Sequence, residues 1–358
     1  MRGITMNSEN SKTQQNKHNF IAHNKLTLGK EEENAALAVI RSGWLAKGIE
    51  VERFEAEFCE FLGLPLGHAV AVSSGTAALY LALWSINAEN KYIAIPSYVC
   101  TALRNSIAMA NGKEIMIDSK NENPNMNLNL LETFNTDIAI VPHLYGIPQL
   151  ISNNTKKITV IEDCAQALGS KVNHVYAGLQ GDIGIFSFYA TKLITSGGQG
   201  GMIVSPNKAI ISKIKDYLLF DQRVDQKYRF NFQMTDIQAT IGRVQLKKFP
   251  SFIKRREELF QRYKSAGLPL LDAPSGITPV RYRAILISDN PFKIIQALEK
   301  ENIKSVIPLK TSELTGDMKQ LPNAYSWTHK TISLPIYPTL TNEEVDRIIE
   351  IVIKVLSK

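Results

Sequence analysis

The stretch AVSSGTAALYLALW, residues 71–84, passes from a short apolar run into a helical pattern. Because the helical part is apolar all round, it predicts a helix that is buried in the protein. Its first residues, Ser73, Ser74, Gly75 and Thr76, are types that N-caps favour for local reasons alone. The free N–H groups and the dipole of a helix N-terminus also attract anions, so these residues are candidate ligands of a phosphate group.

Short apolar runs alternate with possible helices through the first half of the chain. The runs are HAVAV (68–72), YIAIP (92–96), EIMID (114–118), IAIVP (138–142), ITVIED (158–163) and IGIFSF (183–188). This alternation predicts an α/β fold with a mainly parallel central sheet and helices on both faces. In such a sheet, ligands bind beyond the carboxyl ends of the strands.

The flanking segments predict the domain organisation. Residues 1–20 are polar and predict a flexible tail, residues 21–249 a large domain, and residues 250–358 a smaller C-terminal α+β domain with a linking helix. Two helices are predicted within 30–61, separated by the loop SGWLAKG. In the C-terminal part we predict a long charged helix at 250–266, a strand near 281–287, a helix from about 291 and a closing helix at 342–356.

Composition narrows the classes of function. The three cysteines, Cys59, Cys100 and Cys164, lack CxxC spacing, so neither a disulfide framework nor a metal site is expected. A formal charge of +7 favours an anionic ligand, whereas the scattered basic residues do not favour nucleic acid. No run approaches the roughly 20 apolar residues of a membrane helix, and no secretory-signal core is apparent, so we expect a cytoplasmic protein without membrane contact.

Two charged side chains follow predicted strands. Asp163 ends ITVIED, where a buried carboxylate needs a partner such as a protonated heterocyclic nitrogen; the alternative is a cap for a helix that starts at Cys164. Lys192 stands between IGIFSF and the glycine-rich TSGGQGG, residues 195–201. An amine in partly apolar surroundings can form a Schiff base with an aldehyde; the alternative is a solvated loop lysine.

The helix N-terminus at residues 73–76, Asp163 and Lys192 are more informative together than each is alone. An anion-binding turn, an aspartate after a later strand and a lysine in a glycine-flanked turn match the phosphate, ring nitrogen and aldehyde of pyridoxal 5′-phosphate (PLP). The sequence therefore favours PLP as the cofactor of the large domain and Lys192 as the residue that bonds to it.

With these motifs in place, the sequence resembles the DegT/StrS group of nucleotide-sugar aminotransferases, PLP enzymes of fold type I. The resemblance spans about residues 26–356. It rests on GWLAKGIEVERFEAEF, SSGTAALYLAL, IPSYVCTA, VPHLYG, IEDCAQALGS, GDIGIFSFYATK, MTDIQATIGRVQL and SLPIYP, which occur in this order.

The resemblance implies roles for individual residues. Lys192 would form the Schiff base and move a proton, and Asp163 would keep the ring nitrogen protonated. The remaining cofactor contacts would come from Gln166 at the ring hydroxyl, from Cys100 where an aromatic residue often stacks on the ring, and from Gly75, Thr76 and Ser187 at the phosphate.

Three further residues concern the substrate and the neighbouring subunit. Asn231 would reach the phosphate of the neighbouring subunit, which implies a homodimer with shared active sites. Trp44 and His143 would border the substrate pocket; alternatively, Trp44 packs its own loop and His143 is a hydrogen-bonded interior histidine.

The implied reaction moves an amino group, from a donor such as glutamate, to a keto-deoxy-sugar carried by a nucleotide. One alternative is a PLP-dependent sugar dehydratase or eliminase, although family members of that kind have lost the lysine. The other is a non-catalytic regulatory relative, for which the departures from the family pattern at Gln199, Gln233 and Cys100 speak.

Overall fold

A computed structural model describes residues 20–151 and 158–357 of the chain. The predicted tail therefore lies outside the described residues, apart from Phe20. Within the described ranges, none of the helices combines the length and the apolar character needed to cross a membrane.

Nine strands lie among the described residues before residue 205: β1 Ala69–Val72, β2 Tyr92–Pro96, β3 Lys113–Ile117, β4 Ile138–Pro142, β5 Thr159–Asp163, β6 Lys171–Val172, β7 Val175–Tyr176, β8 Ile183–Ser187 and β9 Gly201–Val204. Seven of them form the central sheet in the order β1-β9-β8-β5-β4-β2-β3. All six predicted strands are present within a residue or two. Strand β9 is not among the predicted ones; it runs antiparallel between β1 and β8, so the sheet is mainly parallel, as expected.

Six helices surround this sheet or lead away from it: α1 Lys30–Ser42, α2 Ile49–Leu62, α3 Gly75–Ser85, α4 Ala102–Met109, α5 Lys208–Leu218 and α6 Asp236–Ser265. Helix α3 is buried, as its uniformly apolar residues predict. It packs with Ile183 and Ile185 on one face of the sheet, whereas Phe186 packs on the other face with the phenylalanines of α2. The alternation of side chains along β8 thus places one core on each side.

Helix α6 corrects one prediction. The helix expected to begin at residue 250 is the second half of a continuous helix that passes through Pro250. Buried residues on both sides, Leu246, Phe249 and Phe252, hold one apolar face against the large domain, and this packing outweighs the local cost of about 3 kcal/mol for an interior proline. The predicted division of the chain at 249/250 falls within this helix and stays a prediction.

The C-terminal residues form an α+β unit. The short strand β10 Ile277–Thr278 pairs with β6, in a small sheet that also contains β7. Strands β11 Ala284–Ile287 and β12 Thr331–Leu334 accompany helices α7 Pro291–Lys300, α8 Pro322–Lys330 and α9 Asn342–Leu356. The predicted strand and both predicted helices are present. Strand β11 pairs antiparallel with β12, and a cluster of apolar side chains from these strands, α7 and α9 packs against the end of α6.

Candidate active site

Asp163 is the last residue of β5, in the middle of the sheet between β4 and β8. Its side chain is 6% exposed, and Oδ1 accepts a hydrogen bond from Ala165 N at 2.9 Å. The residues after it form a turn, so the carboxylate caps a turn and not a helix that starts at Cys164. Burial raises the pKa of Asp163, although this hydrogen bond and the nearby Lys192 act to lower it. A buried carboxylate whose charge is only partly compensated therefore lies at the carboxyl end of β5, on the ligand side of the sheet.

Lys192 lies in the turn that follows β8. Gly197 and Gly198 in this turn have φ of 71° and 120°, values that glycine adopts readily and other residues rarely do. The amine is half-buried, with Nζ 5.5 Å from the centroid of the Tyr282 ring. Burial acts to raise the pKa of Tyr282, but the positive charge of Lys192, followed by that of Arg283, brings the net shift below the ordinary value. The structure thus places Lys192 close to both Asp163 and Tyr282.

The start of helix α3 forms a cradle with the end of β8. Ser74 is the N-cap, and its Oγ accepts a hydrogen bond from Ala77 N at 3.1 Å. The first-turn N–H groups of Gly75 and Thr76 have no acceptor within the helix. A Cβ on Gly75 would lie 2.8 Å from Cβ of Ser187, so only glycine allows this approach. Three of the predicted phosphate ligands, Gly75, Thr76 and Ser187, are therefore brought together.

Cys100 and Gln166 border the same region. Cys100 follows β2 and reaches the surface, but protein atoms displace much of the water around its sulfur. This loss of water raises the pKa of the thiol, and the carboxylate of Asp163 raises it further. Gln166 Oε1 accepts a hydrogen bond from Tyr145 N at 2.7 Å. Tyr145 has φ of 61°, so this bond fixes a backbone conformation that is unusual for a tyrosine.

His143 lies beneath the ligand side of the sheet and is 1% exposed. Gln149 N donates to its Nδ1 at 3.2 Å, so Nε2 carries the ring proton and donates to Glu162 Oε2 at 2.8 Å. Glu162 also accepts hydrogen bonds from the backbone N–H groups of Gly178, Gln180 and Gly181. His143 thus has the environment of an interior histidine; its predicted role at the substrate pocket stays a prediction.

The same pair lies close to Cys164, and one ligand atom from each of His143, Glu162 and Cys164 falls within 4.8 Å of the others. Such a group could hold a metal ion. Both oxygens of Glu162, however, already accept backbone hydrogen bonds. The arrangement is therefore that of a hydrogen-bonded support beneath Asp163.

Trp44 and Asn231 lie apart from these contacts. Trp44 is 61% exposed, and its Nε1 donates to Lys47 O at 3.2 Å within the same loop. That loop is held by Asp236, whose Oδ1 accepts from Gly48 N at 2.8 Å. Asn231 is exposed, and its Oδ1 accepts from Gln233 N at 3.1 Å. The predicted roles of Trp44 and Asn231 at the substrate pocket and the neighbouring subunit stay predictions.

The geometry fits PLP. The cradle at Gly75 and Ser187 suits a phosphate, since an added Cβ would fill it, and the buried carboxylate of Asp163 suits a protonated ring nitrogen. Lys192 supplies the amine for the aldehyde. Local patterns did not indicate Tyr282, the close neighbour of Lys192. The only feature of the sequence that could have indicated Tyr282 is its position between two arginines, just before the buried run AILI.

Known proteins share both sequence and architecture with this chain. It is 31% identical to the GDP-perosamine synthase of Escherichia coli O157:H7 over 350 residues, which cover 90% of this chain and 94% of that protein. It is 30% identical to the spore coat polysaccharide biosynthesis protein SpsC of Bacillus subtilis in a gapped alignment of 387 positions, which covers 94% of this chain and 97% of that protein.

Solved structures of aminotransferases have the same fold as this chain. The aminotransferase TlmJ from Streptoalloteichus hindustanus has a TM-score of 0.87 at 26% identity, covering 94% of this chain and 99% of that one. The PLP form of Spr1654 from Streptococcus pneumoniae has a TM-score of 0.84 at 26% identity, with the same coverage. A model of the DegT/DnrJ/EryC1/StrS aminotransferase family matches residues 26–353. The chain therefore belongs to the DegT/DnrJ/EryC1/StrS aminotransferase family and is a PLP-dependent sugar aminotransferase.

Proposed function

We propose that this enzyme transfers an amino group from glutamate to the keto group of a deoxy sugar linked to a nucleoside diphosphate. The observation that carries the proposal is the convergence of Lys192, Asp163 and the Gly75–Ser187 cradle at one edge of the sheet. The names of the relatives, GDP-perosamine synthase and a polysaccharide biosynthesis protein, support a sugar nucleotide as acceptor. A formal charge of +7 suits its pyrophosphate.

Each residue has a separate task in this proposal. When bound, PLP supplies an electron sink that stabilises negative charge at the substrate carbon. Asp163 holds the proton on the ring nitrogen, and Gly75, Thr76 and Ser187 orient the phosphate. Lys192 Nζ would take the proton from the substrate carbon as a general base and deliver it to the former aldehyde carbon of the cofactor as a general acid. Gln166, fixed by Tyr145 N, contacts the ring hydroxyl, and Cys100 borders the ring.

Replacement of Lys192 tests the proposal. We expect Lys192→Ala to lose amino transfer while its unfolding midpoint stays close to that of the wild type, because the side chain is only half-buried. Lys171→Ala is a matched control, since Nζ of Lys171 also lies over a tyrosine ring, at 4.1 Å from Tyr176, but in strand β6. Retained transamination in Lys192→Ala would contradict the assignment.

The donor is tested by the visible absorption of the wild type with PLP before and after glutamate is added. We expect the long-wavelength band of the lysine-bound cofactor to shift to the shorter wavelength of its amine form. The acceptor is then identified by incubation with nucleotide-linked keto sugars and mass spectrometry of the product. A deoxygenated product without an amine would favour the eliminase alternative.

We also propose a homodimer in which Asn231 reaches the phosphate site of the neighbouring subunit. The segment around it exposes apolar side chains that a neighbouring subunit would cover: Val224 and Tyr228 are each 97% exposed, and Phe230 is also exposed. Mixing Lys192→Ala with Asn231→Ala under conditions of subunit exchange should restore activity, because one site of each hybrid dimer is then intact. A monomer in solution, or no recovery in confirmed hybrids, would contradict shared sites.

A further inference from the structure

Arg283, the residue before strand β11, is half-buried, and its side chain has only neutral hydrogen-bond partners among the described residues. Its Nη1 lies 3.2 Å from His23 Nε2 and 3.2 Å from Ser333 Oγ, and those two atoms are 2.8 Å apart. Burial, and then the charge of Arg283, lower the pKa of His23 to about 3, so the imidazole is neutral at physiological pH. The guanidinium is thus surrounded by hydrogen-bonding groups that carry no negative charge.

This situation differs from that of the other arginines in the described ranges. Nine of the twelve form salt bridges with carboxylates. Of the other three, Arg41 is exposed at the end of α1, and Arg256 donates to three backbone carbonyls. Arg283 alone combines partial burial with neither a carboxylate nor a carbonyl partner among the residues described. A cation that has lost part of its water is stabilised by an anion, and none of the described residues supplies one to Arg283.

A cavity of about 100 Å³ lies against this guanidinium. We call it the Arg283 cavity; its polar lining comes from His23, Asn24, Thr191, Tyr282, Arg283 and Ser333. The ring of Tyr282 lies near both charged groups: its centroid is 5.4 Å from the guanidinium carbon of Arg283 and 5.5 Å from Lys192 Nζ. Thr191, the neighbour of Lys192 in sequence, is part of the wall. The Arg283 cavity therefore adjoins the place where the amino group is exchanged.

We propose that the Arg283 cavity binds a carboxylate of the amino donor, with Arg283 as its positive partner. The proposal rests on the proposed function, whose donor is an amino acid. The planar fork of a guanidinium matches the two oxygens of a carboxylate. The volume of about 100 Å³ is well below the roughly 300–1,000 Å³ of pockets that hold a whole small-molecule ligand, so the cavity suits a carboxylate and not a nucleoside diphosphate. Neutral His23 and Ser333 hold the guanidinium in place while leaving its charge available.

Calorimetry on the cofactor-loaded protein tests the proposal apart from catalysis. The probe is glutarate, a five-carbon dicarboxylate that has no amino group to transfer. We expect Arg283→Met to raise the Kd for glutarate by about 10- to 100-fold, the range for a lost charge-assisted hydrogen bond. Arg347→Met is the matched control, because it removes a positive charge from the exposed surface of α9, and it should leave this Kd within about twofold.

Two further measurements keep the test decisive. Arg283→Lys retains the charge but loses the fork, so it should fold like the wild type and show a smaller rise in the Kd. UDP reports on the phosphates of the acceptor, and its affinity should stay the same in all variants. An unchanged glutarate Kd in folded Arg283→Met, or a loss of UDP affinity in place of glutarate affinity, overturns the proposal.

The proposed function is judged by a different observation. If glutamate shifts the absorption band of the wild type but glutarate binding does not depend on Arg283, only the role of the Arg283 cavity is wrong. If glutamate leaves the band of the wild type unmoved, the proposed donor is wrong, whatever the variants bind.

Discussion

Replacement of Asp163 by Asn should change stability in opposite directions in the cofactor-free and cofactor-loaded protein. In the free protein the carboxylate is 6% exposed, and its burial raises its pKa. Asn keeps the size and the acceptor for Ala165 N but removes the charge. A poorly compensated buried polar group costs about 1–3 kcal/mol, so the cofactor-free variant should gain up to that amount. At about 2.1 cal/mol/K per residue, this raises its Tm by roughly 1–4 °C.

The pH dependence follows from the direction of the shift. The folded state binds the Asp163 proton more tightly than the unfolded state, whose pKa is near the ordinary 3.8. The stability of the cofactor-free wild type therefore falls as the pH rises from 3.8 through the higher folded value, and then this contribution levels off. The stability of Asp163→Asn should not show this decrease with pH, because asparagine does not titrate. Its advantage should be small at acidic pH and largest at neutral pH.

With PLP bound, the effect of Asp163→Asn on stability should change from favourable to unfavourable. The carboxylate then pairs with the protonated ring nitrogen, and a charge-assisted hydrogen bond contributes about 1.5–3 kcal/mol. Asp163→Asn should bind PLP about 10- to 100-fold more weakly and gain less stability from it. The assay is thermal unfolding of both proteins, with and without PLP, across this pH range. A cofactor-free variant less stable than the wild type at neutral pH would refute the reasoning about the buried charge.

Two other substitutions test the cradle and the buried support. Gly75→Ala should lower the free energy of unfolding by about 1–3 kcal/mol through overpacking and should weaken PLP binding in a fluorescence titration. Gly29→Ala is the control, because the nearest atom to its added Cβ is 3.8 Å away, and it should change neither quantity. Equal effects in the two variants would show that the cradle is not tight. Glu162→Gln should destabilise the protein by about 1.5–3 kcal/mol in urea unfolding, because buried N–H groups lose their charged acceptor. Glu114→Gln breaks an exposed pair and should cost less than about 1 kcal/mol, so similar losses in both variants would argue against the buried network.

Much of the fold was predictable because its signals are local. Short apolar runs and a uniformly apolar helix reflect backbone pairing and burial, which leave a periodic record in the sequence. Strand β9 was missed because it begins with Gly201, directly after a glycine-rich turn, and only three apolar residues remain to mark it. At Pro250 the sequence predicted a helix boundary that the structure does not have. A proline usually begins or ends a helix, but here apolar packing on both sides of Pro250 keeps the helix continuous.

The candidate active site also has features that the sequence predicted and features that only the tertiary structure revealed. By itself, the sequence determined that Asp163 and Lys192 follow strands, that a helix begins at Gly75, and that together they suit PLP. Only the tertiary structure decided that His143 is buried against Glu162, and that Tyr282 and Arg283 lie beside Lys192. The reason is physical: a helix makes its hydrogen bonds with near neighbours in the chain, and a buried strand leaves a local apolar run in the sequence. The partner of a buried charge depends on which distant segments pack against it, and the burial of the whole chain decides that.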